Sequence, residues 1–361
     1  MDPQSVFCPN WDCPARGQVG RGNIRIHSQR ERRYQCWLCG KTFSERVGTP
    51  FYRRRTDPAF LTVVLTLVTH GCPLLAIEAA FGIQARTVRD WVQAAGNHCQ
   101  QVHQQRVLPQ GEEQVQADEL RVKLQGQVVW LAMALAVSSR LWLGAVVGAR
   151  RDRHLLRGIA AWARAWSVPG PLLVVVDGLA GYLDAFRRAF RSPQPGPKGR
   201  PKLVAWEGVV IGQVVKQYAQ RRVVGITRHL AQGSEAEAER LLRETQGRGV
   251  LNTAFIERLN ATFRTRLAVL ARRTRRLGRQ PARLEAAVFL LGCVYNFCSV
   301  HTSLPVGGQP ATPAMLAGLT DHVWSVGELL WTRVPPPPWQ PPKRRGYRSR
   351  AELALLQRWV S

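Results

Sequence analysis

Leu172-Leu173-Val174-Val175-Val176 is an unbroken apolar run, closed by Asp177-Gly178. Its β-branched character suits a strand, and the lack of any polar alternation means a strand covered on both faces. Strands of that kind belong to α/β sheets flanked by helices. Asp177 then stands at the carboxyl end of the strand, where open α/β sheets bind their ligands. A carboxylate there costs several kcal/mol in desolvation unless it is paired or holds a metal. Capping a following helix over Gly181–Phe190 is the competing role for Asp177. Asp184, within that helix, reads as exposed.

Upstream, Val115–Leu124, Val128–Ser138 and Leu141–Val147 alternate or run apolar, with turns at Gln125-Gly126 and Ser139-Arg140. They read as an antiparallel meander, followed by a helix over His154–Trp166. Parity in the first strand groups Asp118 with Leu120, Val122 and Leu124, on the buried side. Glu119 falls with Arg121 and Lys123 and reads as a solvated charge. Downstream, Ile256, Leu259, Phe263, Leu267 and Leu270 form one apolar helical stripe, with Glu257 to its side beside Ala261, Arg264 and Ala268. Arg258, Arg264, Arg266, Arg272, Arg273, Arg275 and Arg276 make the same segment a phosphate-binding ridge. Asp118, Asp177 and Glu257 therefore sit on three elements that can converge to hold two divalent cations, the arrangement that clamps both oxygens of a phosphodiester displacement.

The chain has 361 residues, with 51 Lys+Arg against 24 Asp+Glu and a formal charge of +27. Such a surface attracts polyanions through counterion release, and double-stranded DNA is the expected partner. An anionic membrane is the competitor, but no apolar run reaches the roughly 18–20 residues of a spanning helix. Met1-Asp2-Pro3-Gln4-Ser5 has no signal-peptide pattern, so a cytoplasmic, nucleoid-associated protein without disulfides is expected.

Cys8 and Cys13 are followed, after 22 residues, by Cys36 and Cys39. Two close pairs across a β-rich spacer have the spacing of a structural zinc ribbon, with strands over Asn23–His27 and Arg32–Gln35. His27 suits a surface position better than a ligand's. Cys72, Cys99, Cys293 and Cys298 read as small buried hydrophobes. After Arg53-Arg54-Arg55, an apolar helix from Pro58 to about Thr69 leads to Leu75–Ile83 and Ala85–Val92. Gly82 between short helices, with Ile83, Val88 and Trp91 facing inward, matches a helix-turn-helix. Gln84, Arg86, Thr87 and Arg89 would meet DNA from its recognition helix. Plain helix-hairpin packing is the alternative. Gly96–Gly111 reads as a linker helix plus loop.

These motifs together resemble DDE transposases of the insertion-sequence-one type, over nearly the whole chain. The resemblance rests on the four cysteines, on Asp118-Glu119-Leu120, on Val176-Asp177-Gly178 and on Asn252-Thr253 through Glu257-Arg258-Leu259-Asn260 to Phe263-Arg264. Tyr295-Asn296-Phe297, His301, Ser303-Leu304 and Thr312–Leu319 add to it. It implies a ribonuclease-H-like mixed sheet flanked by helices, structural Zn, and Mg²⁺ or Mn²⁺ on catalytic Asp118, Asp177 and Glu257. It also implies strand cleavage at the element ends and strand transfer into target DNA by a homodimer or higher oligomer. Where the wider class often has an arginine two positions before the histidine, this chain has Ser299, so His301 reads as structural or phosphate-contacting ahead of an auxiliary role near the metals. Asn252 and Asn260 are candidates for orienting the backbone or a metal-bound water. The implied domains are residues 1–50, 51–110, 111–330 and 331–361: ribbon, helix-turn-helix with linker, catalytic domain, and a tail with a short terminal helix over Ala351–Trp359. A non-catalytic DNA-binding repressor is the alternative function.

Pro193 to Pro201 surrounds a Gly199-Arg200-Pro201 core flanked by lysines, which fits either an exposed connection or a minor-groove contact by Arg200. Pro335–Pro338 and the basic stretch from Lys343 to Arg350 read as an extended arm.

Overall fold

The computed structural model describes residues 1–109, 111, 113–196, 201–220, 222–247, 250–274, 277–341 and 346–359. They divide into two compact units, Met1–Thr62 with Leu330–Ser361, and Val63–Leu329.

In the first unit, β1 (Ile24–Ser28), β2 (Arg33–Cys36) and β3 (Thr42–Ser44) form an antiparallel sheet. A sheet this small has few apolar side chains of its own. Its core gathers Phe7, the buried cysteines Cys8, Cys13 and Cys36, and Tyr34, Phe43 and Val47.

Beyond it come α1 (Pro58–Thr69), α2 (Leu74–Phe81) and α3 (Ala85–Arg106). Gly82 ends α2 at φ 66°, a left-handed conformation that glycine adopts without a Cβ penalty. Val88 and Trp91 are buried as expected, and Ile83 is half-buried. The second half of α3 differs from the expected linker. Ala95, Gly96, His98, Cys99, Val102 and His103 are buried, because this helix lies along a later helix over Pro281–Cys293. The approach is close enough that a Cβ on Gly96 would fall 1.9 Å from the carbonyl oxygen of Ala286. The hairpin of α2 and α3 and the sheet beyond it thus fall within one compact unit.

The sheet is built from β4 (Gln114–Leu124), β5 (Gln127–Ala136), β6 (Trp142–Gly148), then α4 (Arg153–Trp166), β7 (Leu172–Asp177) and α5 (Ala180–Ala189). The short hairpin β8 (Arg191–Gln194) and β9 (Lys202–Ala205) follows, and then β10 (Val209–Ala219) and β11 (Arg222–Gln232). Next come α6 (Glu235–Gln246), α7 (Ala254–Arg266) and α8 (Pro281–Cys293), which ends in a π-turn over Val294–Cys298. A second small hairpin, β12 (His301–Val306) and β13 (Gln309–Ala311), precedes α9 (Pro313–Leu316) and α10 (Val326–Trp331). The final helix, α11 (Arg350–Trp359), belongs to the first unit, where Trp359 is buried in the cysteine core.

The six strands run in the order β11-β10-β7-β4-β5-β6. β7 pairs in parallel with both β4 and β10, and the remaining pairs are antiparallel. The β-branched run thus takes a central place, and Leu172–Val176 are all fully buried. The side of the sheet carrying Leu120, Val122 and Leu124 packs on Ile256, Leu259 and Phe263 of α7. α6 covers Leu173 and Val175 on the same side through Leu241 and Leu242. α4 and α5 cover the other face, where Gly144, Gly148 and Gly158 admit Trp162, Leu155 and Val146 at close range. Asn296 in the π-turn closes the β6 end: its amide donates to the Trp142 carbonyl at 2.8 Å and accepts from the Trp142 N–H at 2.9 Å.

The Gly-Arg-Pro expectation falls largely outside the described residues. Arg200 lies there with Pro197, Lys198 and Gly199, between β8 and β9. Arg275, Arg276 and Lys343–Arg345 also lie outside them. Among the described residues no helix is long and apolar enough to cross a membrane.

Candidate metal centres and their cleft

The parallel register of β4 and β7 sets Ala117 beside Val176, so the next residues, Asp118 and Asp177, stand level. β7 ends at Asp177 while β4 continues to Leu124, and the sheet opens at that point into a cleft of about 650 Å³. Asp118, Glu119, Arg151, Asp177, Lys216, Glu257, Asn260, Arg264 and Arg272 are among the residues lining it.

Among the described residues, the three carboxylates that come within 4.8 Å of one another are Asp118, Glu119 and Asp177. Glu119 therefore departs from its expected solvated position. It is 8% exposed, and its carboxylate accepts a 2.5 Å hydrogen bond from the Tyr182 hydroxyl and pairs with Arg151. The physical reason is the strand's place in the sheet. α5 covers the Glu119 face of β4 near β7, and only Arg121 and Lys123, farther along the same face, reach solvent. Asp118 faces α7, where Asn260 Nδ2 donates to its Oδ2 at 2.7 Å; its Oδ1 accepts the Glu119 N–H at 2.9 Å. Asp177 does not cap α5, whose N-cap is Leu179. Its Oδ1 accepts the Leu179 N–H at 3.0 Å, and its Oδ2 accepts from Arg151 at 3.2 Å.

Glu257 reaches the same cleft from the first turn of α7 but stays outside that cluster. Lys216 pairs with its Oε1, and the Thr253 hydroxyl donates to the same oxygen at 2.6 Å. α7 itself is anchored to the sheet by Gln116, whose side chain accepts the Ile256 N–H at 3.0 Å and donates to the Asn252 carbonyl at 2.8 Å. Asn252 Oδ1 accepts the Ala254 N–H at 3.0 Å, so this asparagine orients backbone at the helix start.

The electrostatics follow from this crowding. Burial, then repulsion from Glu119, pushes the Asp118 carboxyl up to about 7. Burial raises Glu119 as well. At Glu257 burial acts upward, but hydrogen bonds from Lys216 and Thr253 outweigh it and hold the carboxyl below its ordinary value. Clustered carboxylates held above their usual range are relieved by a bound cation. Asn260 Oδ1 is buried with no hydrogen-bond partner among the described residues, leaving an acceptor at the wall. An acidic triad of hard oxygens with a spare amide acceptor fits a divalent cation.

The four N-terminal cysteines also converge. Their sulfurs all lie within 4.8 Å of one another, with Cys8–Cys39 at 3.6 Å and Cys13–Cys36 at 3.9 Å. A tetrahedron with metal–sulfur bonds of about 2.3 Å has edges of about 3.8 Å, so the cluster has the size of a four-thiolate metal site. Hydrogen bonds from Cys13 and Cys8 lower the Cys36 thiol, while those with Cys13 and Cys36 push Cys8 up. His27 is exposed and outside the cluster. Cys99 and Cys293 are buried, and Cys72 and Cys298 half-buried.

The other expected DNA-contacting residues lie as follows. Gln84, Arg86 and Arg89 are exposed at the start of α3 and Thr87 is half-buried; Arg258, Arg272 and Arg273 are exposed. Arg264 and Arg272 line the cleft, and burial followed by repulsion from Arg272 lowers the Arg264 guanidinium. His301 packs edge-on against Tyr295 at 4.8 Å, and Ser299 accepts from Arg266 at 3.0 Å. The residues that pattern alone leaves out are Arg151, Tyr182 and Lys216. Each acts through a partner distant in sequence, with no spacing to announce it. The chain matches no protein-family model, and no curated protein matches it.

Proposed function

We propose that this chain is a DDE transposase that binds the ends of a mobile DNA element, cuts them and joins them to target DNA. The observation that carries the reading is the cleft where Asp118 and Asp177 stand level on adjacent parallel strands. Glu257 faces the same space and Arg264 and Arg272 line it, in a chain of charge +27. The six-strand mixed sheet with helices on both faces supports a ribonuclease-H-like core.

Asp118, Asp177 and Glu257 would hold Mg²⁺ or Mn²⁺. Such ions, when bound, favour in-line attack at a phosphodiester by stabilising the attacking and leaving oxygens. Asn260 keeps Asp118 turned to the cleft, and Lys216 holds Glu257 at the wall. Arg264 and Arg272 would fix phosphate positions without reading sequence. The four cysteines would hold a structural zinc, as in a ribbon, and α2–α3 would act as a helix-turn-helix presenting Gln84, Arg86, Thr87 and Arg89. Two element ends call for at least a dimer.

The test uses DNA carrying the sequences that flank the gene. With Mg²⁺, the protein should yield covalently joined strands. Asp118→Ala, Asp177→Ala or Glu257→Ala should each lower joining at least 1000-fold, about 4 kcal/mol of transition-state stabilisation, while end binding persists. Joining at the wild-type rate in any one of them rejects that residue. Tight, specific binding without any cutting supports the repressor instead.

A further inference from the structure

Arg151 is the cation that the acidic cluster already holds. It follows β6 and immediately precedes Asp152, which caps α4 by accepting from the N–H groups of His154 and Leu155. Its backbone is therefore fixed at a helix start. Its guanidinium pairs with Glu119 Oε1 and reaches Asp177 Oδ2 at 3.2 Å. The Trp130 ring lies 5.2 Å away, within cation–π range.

The two carboxylates differ in freedom. Glu119 is buried, and the fully buried Tyr182 binds its other oxygen, so it cannot turn away. Asp177 is about a third exposed, and its Oδ1 is committed to the Leu179 N–H. Oδ2 is the oxygen left for a ligand, and Arg151 occupies it.

We propose that Arg151 is a positioning residue that exchanges partners. A divalent cation at Asp177 displaces the guanidinium from Oδ2. Glu119, backed by Tyr182, keeps it tethered at the cleft wall, where it takes a phosphate oxygen of the bound nucleic acid. Like charges cannot share Oδ2 cheaply, and a planar guanidinium that releases one carboxylate presents a donor fork suited to phosphate. The phosphate half of this exchange rests on the nucleic-acid function proposed above; the metal half does not.

Two measurements on the full chain separate them. The first is Mn²⁺ binding without DNA, followed by water-proton relaxation. Arg151→Gln should bind Mn²⁺ about 5- to 10-fold more tightly than wild type, and Arg151→Lys, which keeps the charge on a shorter side chain without the planar fork, should fall between. Unchanged or weaker Mn²⁺ binding in both variants overturns the exchange. The second is duplex DNA binding in Ca²⁺ across a salt series. Arg151→Gln should weaken binding about 5- to 10-fold and lower the log–log salt slope by about one, and Arg151→Lys should restore the slope. Tighter Mn²⁺ binding with an unaltered salt slope overturns the phosphate half and leaves Arg151 a counter-ion alone. If wild-type protein fails to bind DNA at all, the proposed function falls with the phosphate half, and the Mn²⁺ result still decides the exchange.

Discussion

Asp118 and His103 pull the pH dependence of stability in opposite directions. Asp118 titrates near 7 in the fold against an ordinary value of 3.8. Between those values the folded chain holds a proton that the unfolded chain has lost, so stability falls as pH rises through this window. The penalty is fully present above pH 7 and amounts to at most about 4 kcal/mol. A divalent cation removes it. Mg²⁺ should therefore raise the melting temperature more at pH 7.5 than at pH 5, and Asp118→Ala should abolish most of that difference. An equal Mg²⁺ effect at both pH values in wild type would rule the assignment out. His103 is the reverse case. Fully buried among Trp142, Trp162 and Phe289, it donates from Nε2 to the Leu143 carbonyl at 2.8 Å, and burial lowers it to about 4. Here the unfolded state binds the extra proton, so stability is lost as pH falls from about 6.5 toward 4. His103→Phe should flatten that acid arm in urea titrations while lowering stability at pH 8 by about 1–3 kcal/mol, since the Leu143 carbonyl loses its donor.

At the scale of elements, α3 and α8 meet through Gly96 with no space for a methyl group. Gly96→Ala should lower the unfolding free energy by about 1–3 kcal/mol through overpacking, despite its better helix propensity, as read from the urea midpoint. An unchanged or raised midpoint would mean that the helices can separate without loss. That seam also marks what the sequence conceals. The meander β4–β6 is legible because alternation and turn residues agree, and β7 because five apolar residues in a row leave few choices. The β10–β11 hairpin is not: its turn has neither Asn-Gly nor Asp-Gly, and Gln220 itself takes φ 49°. Parity groups Glu119 correctly with Arg121 and Lys123 but does not show that it is buried, because alternation describes a strand with one solvated face and β4 has helices on both. The trio Asp118, Asp177 and Glu257 is legible as three residues on three elements lining one cleft. That Glu119 joins the two aspartates, while Lys216 takes Glu257, depends on strand neighbours that no local pattern encodes.

At the scale of the whole molecule, a charge of +27 dominates association with any polyanion. Raising salt from 50 to 200 mM should weaken duplex DNA binding by about 10³-fold or more if six or more phosphates are neutralised. A flat dependence, measured by fluorescence anisotropy, would exclude a phosphate-dominated interface. The cysteine unit gives a separate test. Trp359 is 4% exposed in its core, and the Gln18 side chain donates to the Trp359 carbonyl. Trp359→Ala should loosen this unit by about 3–5 kcal/mol, and Cys36→Ser should lower bound zinc by elemental analysis; zinc retained in full by Cys36→Ser would contradict a four-thiolate site.

That unit is assembled from two stretches of chain, residues 1–62 and 330–361, with everything else emerging from the ribosome between them. Its four cysteines are made before the sheet and the acidic cleft, but Trp359 arrives only after both have been translated. The cysteine core thus waits, incomplete, while the cleft is translated, and a messenger cut short before α11 yields a protein whose cleft sequence is whole and whose thiol module lacks its closing tryptophan.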